Sequence, residues 1–238
     1  MQYQGGKNLN GDRIAQEIYV ATKHRYAVEP FCGSAAITVR LARFGFDVAA
    51  SDCCAPLISL LSAVKDGWDP PGQLSESEYQ AARHLPDTDP RKAFAGFGCS
   101  FGAKWFGGYA RGKKSRGIRN YASMCRRSLL KKRSHFRCVA FSCRSFFDIE
   151  PRGGVALYCD PPYAGTLSYG AVGDFDNAAF WVRCREWSAV GADVFVSEYT
   201  APDWVPLLTS FDRAKGLGDG RVTEKLFILR GASASATA

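Results

Sequence analysis

Between Asp89 and Asp148 the 238-residue chain has no acidic side chain at all. That interval carries 15 of the 31 lysines and arginines, leaving 16 basic against 23 acidic residues elsewhere, a balance of −7. The formal net charge of +8 is therefore concentrated in one strongly cationic segment of an otherwise acidic chain. Other absences narrow the class. No run reaches the roughly 18 apolar residues of a membrane helix. The opening MQYQGGKNLN has no basic stretch leading into an apolar one, so the expectation is a cytoplasmic protein with no membrane partner. The nine cysteines form no CxxC pair and no Cys–His finger spacing; free, buried thiols and no metal are expected. Cys138 and Cys143 come nearest to a pair, and their apolar neighbours place them in the core. No internal repeat is present.

What is there begins as alternating helix and strand patterns. LNGDRIAQEIYVATK spaces Ile14, Ile18 and Val20 like one helix face, YAVEPF is a short strand, GSAAITVRLARFG a second helix stopped by Gly45, FDVAAS a strand ending at Asp52, and CAPLISLLSAVKDG a third helix. This order implies an α/β fold with a parallel sheet covered on both faces. From about residue 67 the pattern changes. Ser75 stands three residues before Glu78, a capping-box signature, and a glycine-, aromatic- and lysine/arginine-rich stretch without clear period follows. RNYASMCRRSLLKKR reads as a basic helix. Strand patterns then resume with FRCVAF, GVALYCDPPY and ADVFVSEY, with the helix NAAFWVRCREWSAVG before the last of these and a final strand, TEKLFILR, after it. The organisation expected is one domain from 1–66 plus 135–238, interrupted by a mainly helical, basic insertion at 67–134.

Open parallel sheets bind ligands beyond the carboxyl ends of their strands. Three such ends carry distinctive residues. VEPFCGSAA runs a strand into Gly33 and Ser34 and then a helix, a turn where backbone can approach a ligand. Asp52, 19 residues after Gly33, suits either a ribose hydroxyl pair or the start of the next helix. In Asp160-Pro161-Pro162-Tyr163 the prolines have no N–H to donate and hold φ near −65°. Asp160 and the adjacent carbonyls thus form an acceptor cluster beside an aromatic face, which fits a planar ligand bearing an amino group.

Taken together, YQGGK at the start, EPFCGSAA, and DPPY some 130 residues later resemble the Dam-type (D12 class, alpha group) adenine-specific DNA methyltransferases, in that family's motif order. The resemblance implies a Rossmann-like S-adenosylmethionine-dependent methyltransferase sheet with an inserted target-recognition domain. It implies transfer of a methyl group from S-adenosylmethionine to N6 of a flipped adenine in duplex DNA, in a bacterial cell or a phage-infected host. By residue, it implies cofactor contacts at Tyr3, Lys7, Pro30, Phe31, Gly33, Ser34, Asp52, Phe146 and Asp160, and catalytic roles for Asp160, Pro161, Pro162 and Tyr163. The chain departs from the family pattern at FCGSAA, where a second glycine is usual, and at Ser145, where an Asp usually precedes the aromatic. Double-stranded DNA is the expected partner, with phosphate contacts from Lys104, Arg111, Lys113, Lys114, Arg116, Arg119, Arg126 and Arg127, and a monomer or weak dimer is the expected state. The alternatives are another amino group as acceptor (cytosine N4, an RNA adenine or a glutamine amide) or a catalytically impaired DNA-binding relative.

Overall fold

The computed structural model describes residues 7, 9–114, 117–162, 175–214 and 221–231. In chain order it contains α1 (Gly11–Ala21), β1 (Tyr26–Glu29), α2 (Ala36–Arg43), β2 (Asp47–Asp52) and α3 (Ala55–Lys65). Next come α4 (Glu76–Ala82), α5 (Pro90–Ala93), β3 (Lys113–Lys114), β4 (Gly117–Ile118), α6 (Tyr121–Arg133) and β5 (Val139–Cys143). The chain continues through β6 (Ala156–Cys159), α7 (Asn177–Ala189), β7 (Asp193–Glu198), β8 (Leu207–Ala214) and β9 (Arg221–Arg230).

Seven strands form one sheet in the order β5-β2-β1-β6-β7-β9-β8. The first five are parallel to their neighbours, while β9 runs antiparallel to both β7 and β8. The expected doubly wound, Rossmann-like α/β sheet is present, with an antiparallel hairpin closing one edge. One of the two hairpin strands, β8, has no counterpart in the sequence reading, which assigned a single final strand. LLTSFDRA mixes polar and apolar residues because it is an edge strand, buried at Phe211 and exposed at Leu207.

Side-chain alternation splits the interior into two cores. Ala27, Ala156, Tyr158 and Phe195 face one side with α1, α2 and α3; Val28, Leu157, Cys159, Val194 and Val196 face the other with α7. Helix α3 buries Leu57, Ile58, Leu60, Leu61 and Val64, apolar nearly all round because the sheet lies on one side and the inserted elements on another. Helix α7 is capped by Asp176, whose carboxylate accepts from the Ala179 N–H at 2.9 Å. Its Trp187 indole N–H donates to the Ile149 carbonyl at 3.0 Å.

Residues between α3 and β5 are folded on the same core. The capping box forms as expected, Ser75 and Glu78 satisfying each other's backbone N–H groups at the start of α4. Buried Tyr79 shares a hydrogen bond with Ser100 at 2.8 Å and accepts one from the Gly108 N–H. The stretch without period becomes a π-helical turn over Phe94–Gly98. Glycine is required there by crowding: a Cβ on Gly96 would lie 2.5 Å from the Trp105 ring, and one on Gly98 would collide with the Cys125 sulfur. Phe94, Cys125 and Leu129 join the hydrophobic cluster that contains Leu57 and Tyr158.

The cysteines are free, as expected, with Cys32, Cys99, Cys125, Cys159 and Cys184 buried. Cys138 and Cys143 correct the sequence reading, since both are exposed: β5 is the edge of the sheet, and Cys143 stands at its end, level with Asp52. Among the described residues no helix is long and apolar enough to cross a membrane, and no group of three or more His, Cys, Asp or Glu could hold a metal.

Candidate functional site

The carboxyl ends of β1, β2 and β6 lie side by side, which brings the three distinctive sequence stretches to one edge of the sheet. After β1 the chain turns through Gly33 and Ala35, both left-handed with φ of 47° and 57°, before α2 begins. Several bonds hold this turn. The Cys32 N–H donates to the Ser51 carbonyl at 2.9 Å, and the Ala35 N–H to the Cys32 carbonyl at 2.8 Å. One oxygen of Asp52 accepts from the Gly33 N–H at 2.9 Å, and the other from the Cys54 N–H at 3.0 Å. Asp52 therefore ties the glycine turn to the entry of α3. Burial raises its pKa, opposed by the two backbone hydrogen bonds.

Beneath the turn, Glu29 is buried and accepts from the Thr38 hydroxyl at 2.6 Å. Burial lifts its pKa to about 8 despite that bond, so it carries a proton at neutral pH. Pro30 and Ser34 are buried. Phe31 packs against Phe146 with ring centroids 5.4 Å apart, and both contact Phe175 and Phe180. Phe146 is itself buried, whereas Phe147, 4.0 Å from it, is half exposed. Ser145, the departure noted in the sequence, caps this turn: its hydroxyl accepts from the Phe147 N–H, and its own N–H donates to the Asp148 carboxylate at 3.0 Å.

At the end of β6, Asp160 forms an ion pair of 2.7 Å with Lys7, whose ammonium also pairs with Glu224 of β9 at 2.9 Å. All three are largely buried, with side-chain exposures of 18%, 5% and 6% for Asp160, Lys7 and Glu224. The Asn10 amide donates to the second oxygen of Glu224. Burial pulls the Lys7 pKa down, but Asp160 and then Glu224 more than reverse this, and it ends above the ordinary lysine value. One ammonium is thus shared between two acidic side chains at the end of the sheet. Pro161 is buried and Pro162 half-buried.

The structure thus brings together Lys7, Pro30, Phe31, Gly33, Ser34, Asp52, Phe146, Asp160, Pro161 and Pro162. Tyr3, Tyr163 and Arg116 lie outside the described residues. Of the basic residues singled out, Lys104 and Arg127 are exposed, and Lys113 and Lys114 form β3 of a small hairpin. Arg119 lies over the Tyr121 ring. Arg111 pairs with Glu76, and Arg126 with Asp69 and the Pro70 carbonyl. Acids from just before the acid-free interval thus neutralise part of it.

Sequence reasoning missed Glu224 and Lys132. Both left a trace: Glu224 has the parity of inward-facing Leu226 and Ile228 in β9, and Lys132 follows buried Cys125 and Leu129 at helical spacing. An ionisable residue on an apolar face was the available signal.

Comparison with known proteins locates this arrangement. The model of the D12 class N6 adenine-specific DNA methyltransferase family matches residues 3–96, less than half of the chain, bearing out the resemblance over that range. No curated protein matches by sequence. Solved structures of similar fold include the magnesium protoporphyrin IX methyltransferase from Synechocystis with bound S-adenosylmethionine (8% identity, 94% of this chain and 79% of that one, TM-score 0.43). Others are the tRNA (m1A58) methyltransferase from Aquifex aeolicus (11%, 98% and 70%, TM-score 0.41) and a predicted N6-adenine-specific DNA methylase from Listeria monocytogenes (12%, 93% and 51%, TM-score 0.41). Over residues 3–96 the similarity is to D12 class N6 adenine-specific DNA methyltransferases. At these identities the likeness is one of fold and says nothing of substrate.

Proposed function

We propose that the protein is an S-adenosylmethionine-dependent methyltransferase acting on N6 of adenine in duplex DNA. The observation that carries this reading is Asp160: a carboxylate at the catalytic edge of the sheet, oriented by a buried lysine and followed at once by two prolines.

The residues present fit the cofactor. The left-handed turn at Gly33–Ala35 and buried Ser34 supply a close backbone approach for its methionine end. The Asp52 Oδ2 that accepts from the Gly33 N–H keeps a lone pair for a sugar hydroxyl, while Oδ1 holds the Cys54 N–H and the Cys53 thiol. The carboxylate of Asp160, at the end of β6, complements a sulfonium. When bound, the cofactor supplies an electrophilic methyl group on that sulfonium.

Asp160 and the Pro161 carbonyl act on the other partner. An adenine amino group is a weak nucleophile because its lone pair is delocalised into the ring. Two acceptors holding its two protons draw the nitrogen toward tetrahedral geometry and free the lone pair. The Asp160 carboxylate, hydrogen-bonded to the amino group, would take the proton that the nitrogen must shed on methylation. Lys7 fixes that carboxylate so that it presents an acceptor edge without reorganising. Hydrogen bonds to a charged acceptor contribute about 1.5–3 kcal/mol each, while aligning two bound reactants contributes about 7–11 kcal/mol, so positioning dominates.

Access requires the base to leave the duplex, at a cost of a few kcal/mol; the stacking role for Tyr163 follows from its place in the motif. The insertion, through Lys104, Arg127 and the β3–β4 hairpin, supplies phosphate contacts.

The test is transfer of a labelled methyl group from S-adenosylmethionine to unmethylated duplex DNA, followed by nucleoside analysis. Label in N6-methyladenine is expected. Label in N4-methylcytosine, or only in an RNA substrate, would overturn the choice of acceptor, and no transfer to any nucleic acid would overturn the reading as a whole.

A further inference from the structure

Lys132 lies in the last turn of α6, within the insertion, and its half-buried side chain donates to the Ser34 carbonyl of the turn after β1, 98 residues away. An ammonium drawn into the fold is ordinarily held by a carboxylate. Here the hydrogen-bonded acceptor is a neutral carbonyl. The groups facing Lys132 are Arg40 from α2, Glu29 and Cys32 from β1 and the turn, and Cys125 from α6 itself. Burial first, and Arg40 second, lower its pKa to about 8. What the arrangement achieves is geometric. The peptide unit joining Ser34 to Ala35 is gripped at both ends, its oxygen by Lys132 and its N–H by the Cys32 carbonyl. Ala35 needs that grip, because a left-handed φ of 57° is unfavourable for a residue with a Cβ.

We propose that Lys132 is a positioning residue for the cofactor loop: by holding the Ser34 carbonyl from the inserted segment, it keeps the Gly33–Ala35 turn in its binding form. Cofactor affinity then depends on a residue of the insertion, with no contact between that residue and the cofactor. This rests on the reading of the turn as the place where the methionine end of S-adenosylmethionine sits.

The experiment compares wild type with Lys132→Met, which keeps length but loses the donor, and Lys132→Arg, which keeps a donor. Each is titrated calorimetrically with S-adenosylhomocysteine, and amide exchange is followed without ligand. For Lys132→Met we expect binding weaker by about tenfold, from one charge-assisted hydrogen bond, and faster exchange at residues 33–36 with α7 and β7 unchanged. Lys132→Arg should retain most of the affinity. If the Met variant does not fold, Lys132→Leu, which also lacks a donor, takes its place. Unchanged binding and unchanged loop exchange in the Met variant would overturn the proposal, as would equal loss in both variants with exchange raised throughout α6, the mark of a packing role. Failure of wild type to bind the ligand would instead defeat the cofactor reading of the turn, and loop exchange would still decide whether Lys132 holds it.

Discussion

Charge is used differently in the two halves of this molecule. In the sheet half, Lys7, Asp160 and Glu224 are buried together and satisfy one another within 3 Å. In the insertion, Arg111 and Glu76 are 71% and 50% exposed, and Arg126 and Asp69 are 36% and 59% exposed. A buried pair that loses one member leaves an uncompensated charge and costs about 3–5 kcal/mol. An exposed pair contributes about 0–1 kcal/mol and is screened by salt. Charges in the sheet therefore define a geometry, while those in the insertion remain available to a partner that offers better terms than a neighbouring carboxylate.

The contrast can be broken from either side. Asp160→Ala should lower methyl transfer by at least about a thousandfold, through loss of an acceptor and of its alignment, while duplex binding measured by anisotropy stays near wild type. Lys7→Met should cost about 3–5 kcal/mol in denaturant unfolding, because two buried carboxylates are left facing each other. Glu29 gives a pH signature. Its folded pKa of about 8 is raised above the ordinary carboxylate value of 4.5, so its stabilising contribution is complete below pH 4.5 and is lost as pH rises toward 8. Over that window wild type should lose on the order of a few kcal/mol relative to Glu29→Gln, which calorimetric melting at a series of pH values measures. For the insertion, duplex affinity should fall as salt rises, by a log–log slope of roughly −0.9 for each phosphate contacted; a flat response would remove DNA as the partner. Least of all, Arg111→Ala should change stability by under about 1 kcal/mol, with any loss appearing in DNA affinity.

How much of this the sequence displays follows from which interactions are local. Helices and strands of the sheet are legible because their apolar spacing serves two cores, as in Ala27 against Val28 or Leu157 against Tyr158. The Ser75–Glu78 capping box is legible because both partners lie within one turn. Edge strand β8 is not, since only one of its faces is buried and its alternation is broken by a register shift at Leu207/Thr209. The acid-free interval overstated the free positive charge, because Asp69 and Glu76, just upstream, fold back onto Arg126 and Arg111. Asp52 had two readings in the sequence; the structure shows it bracing the glycine turn and the entry of α3, and a ribose contact is compatible with both bonds. Glu224 and Lys132 depend on contacts 217 and 98 residues away in sequence, which no local pattern encodes, although each breaks an apolar face.

Glu224 also sets an order of events during synthesis. Lys7 and the glycine turn leave the ribosome early, the insertion next, and Asp160 later still. The ion cluster closes only when β9 slots between β7 and β8. Pairings of such long sequence separation form late in folding. Until they do, the growing chain carries its cationic segment in full while Lys7 and Asp160 still await the Glu224 carboxylate.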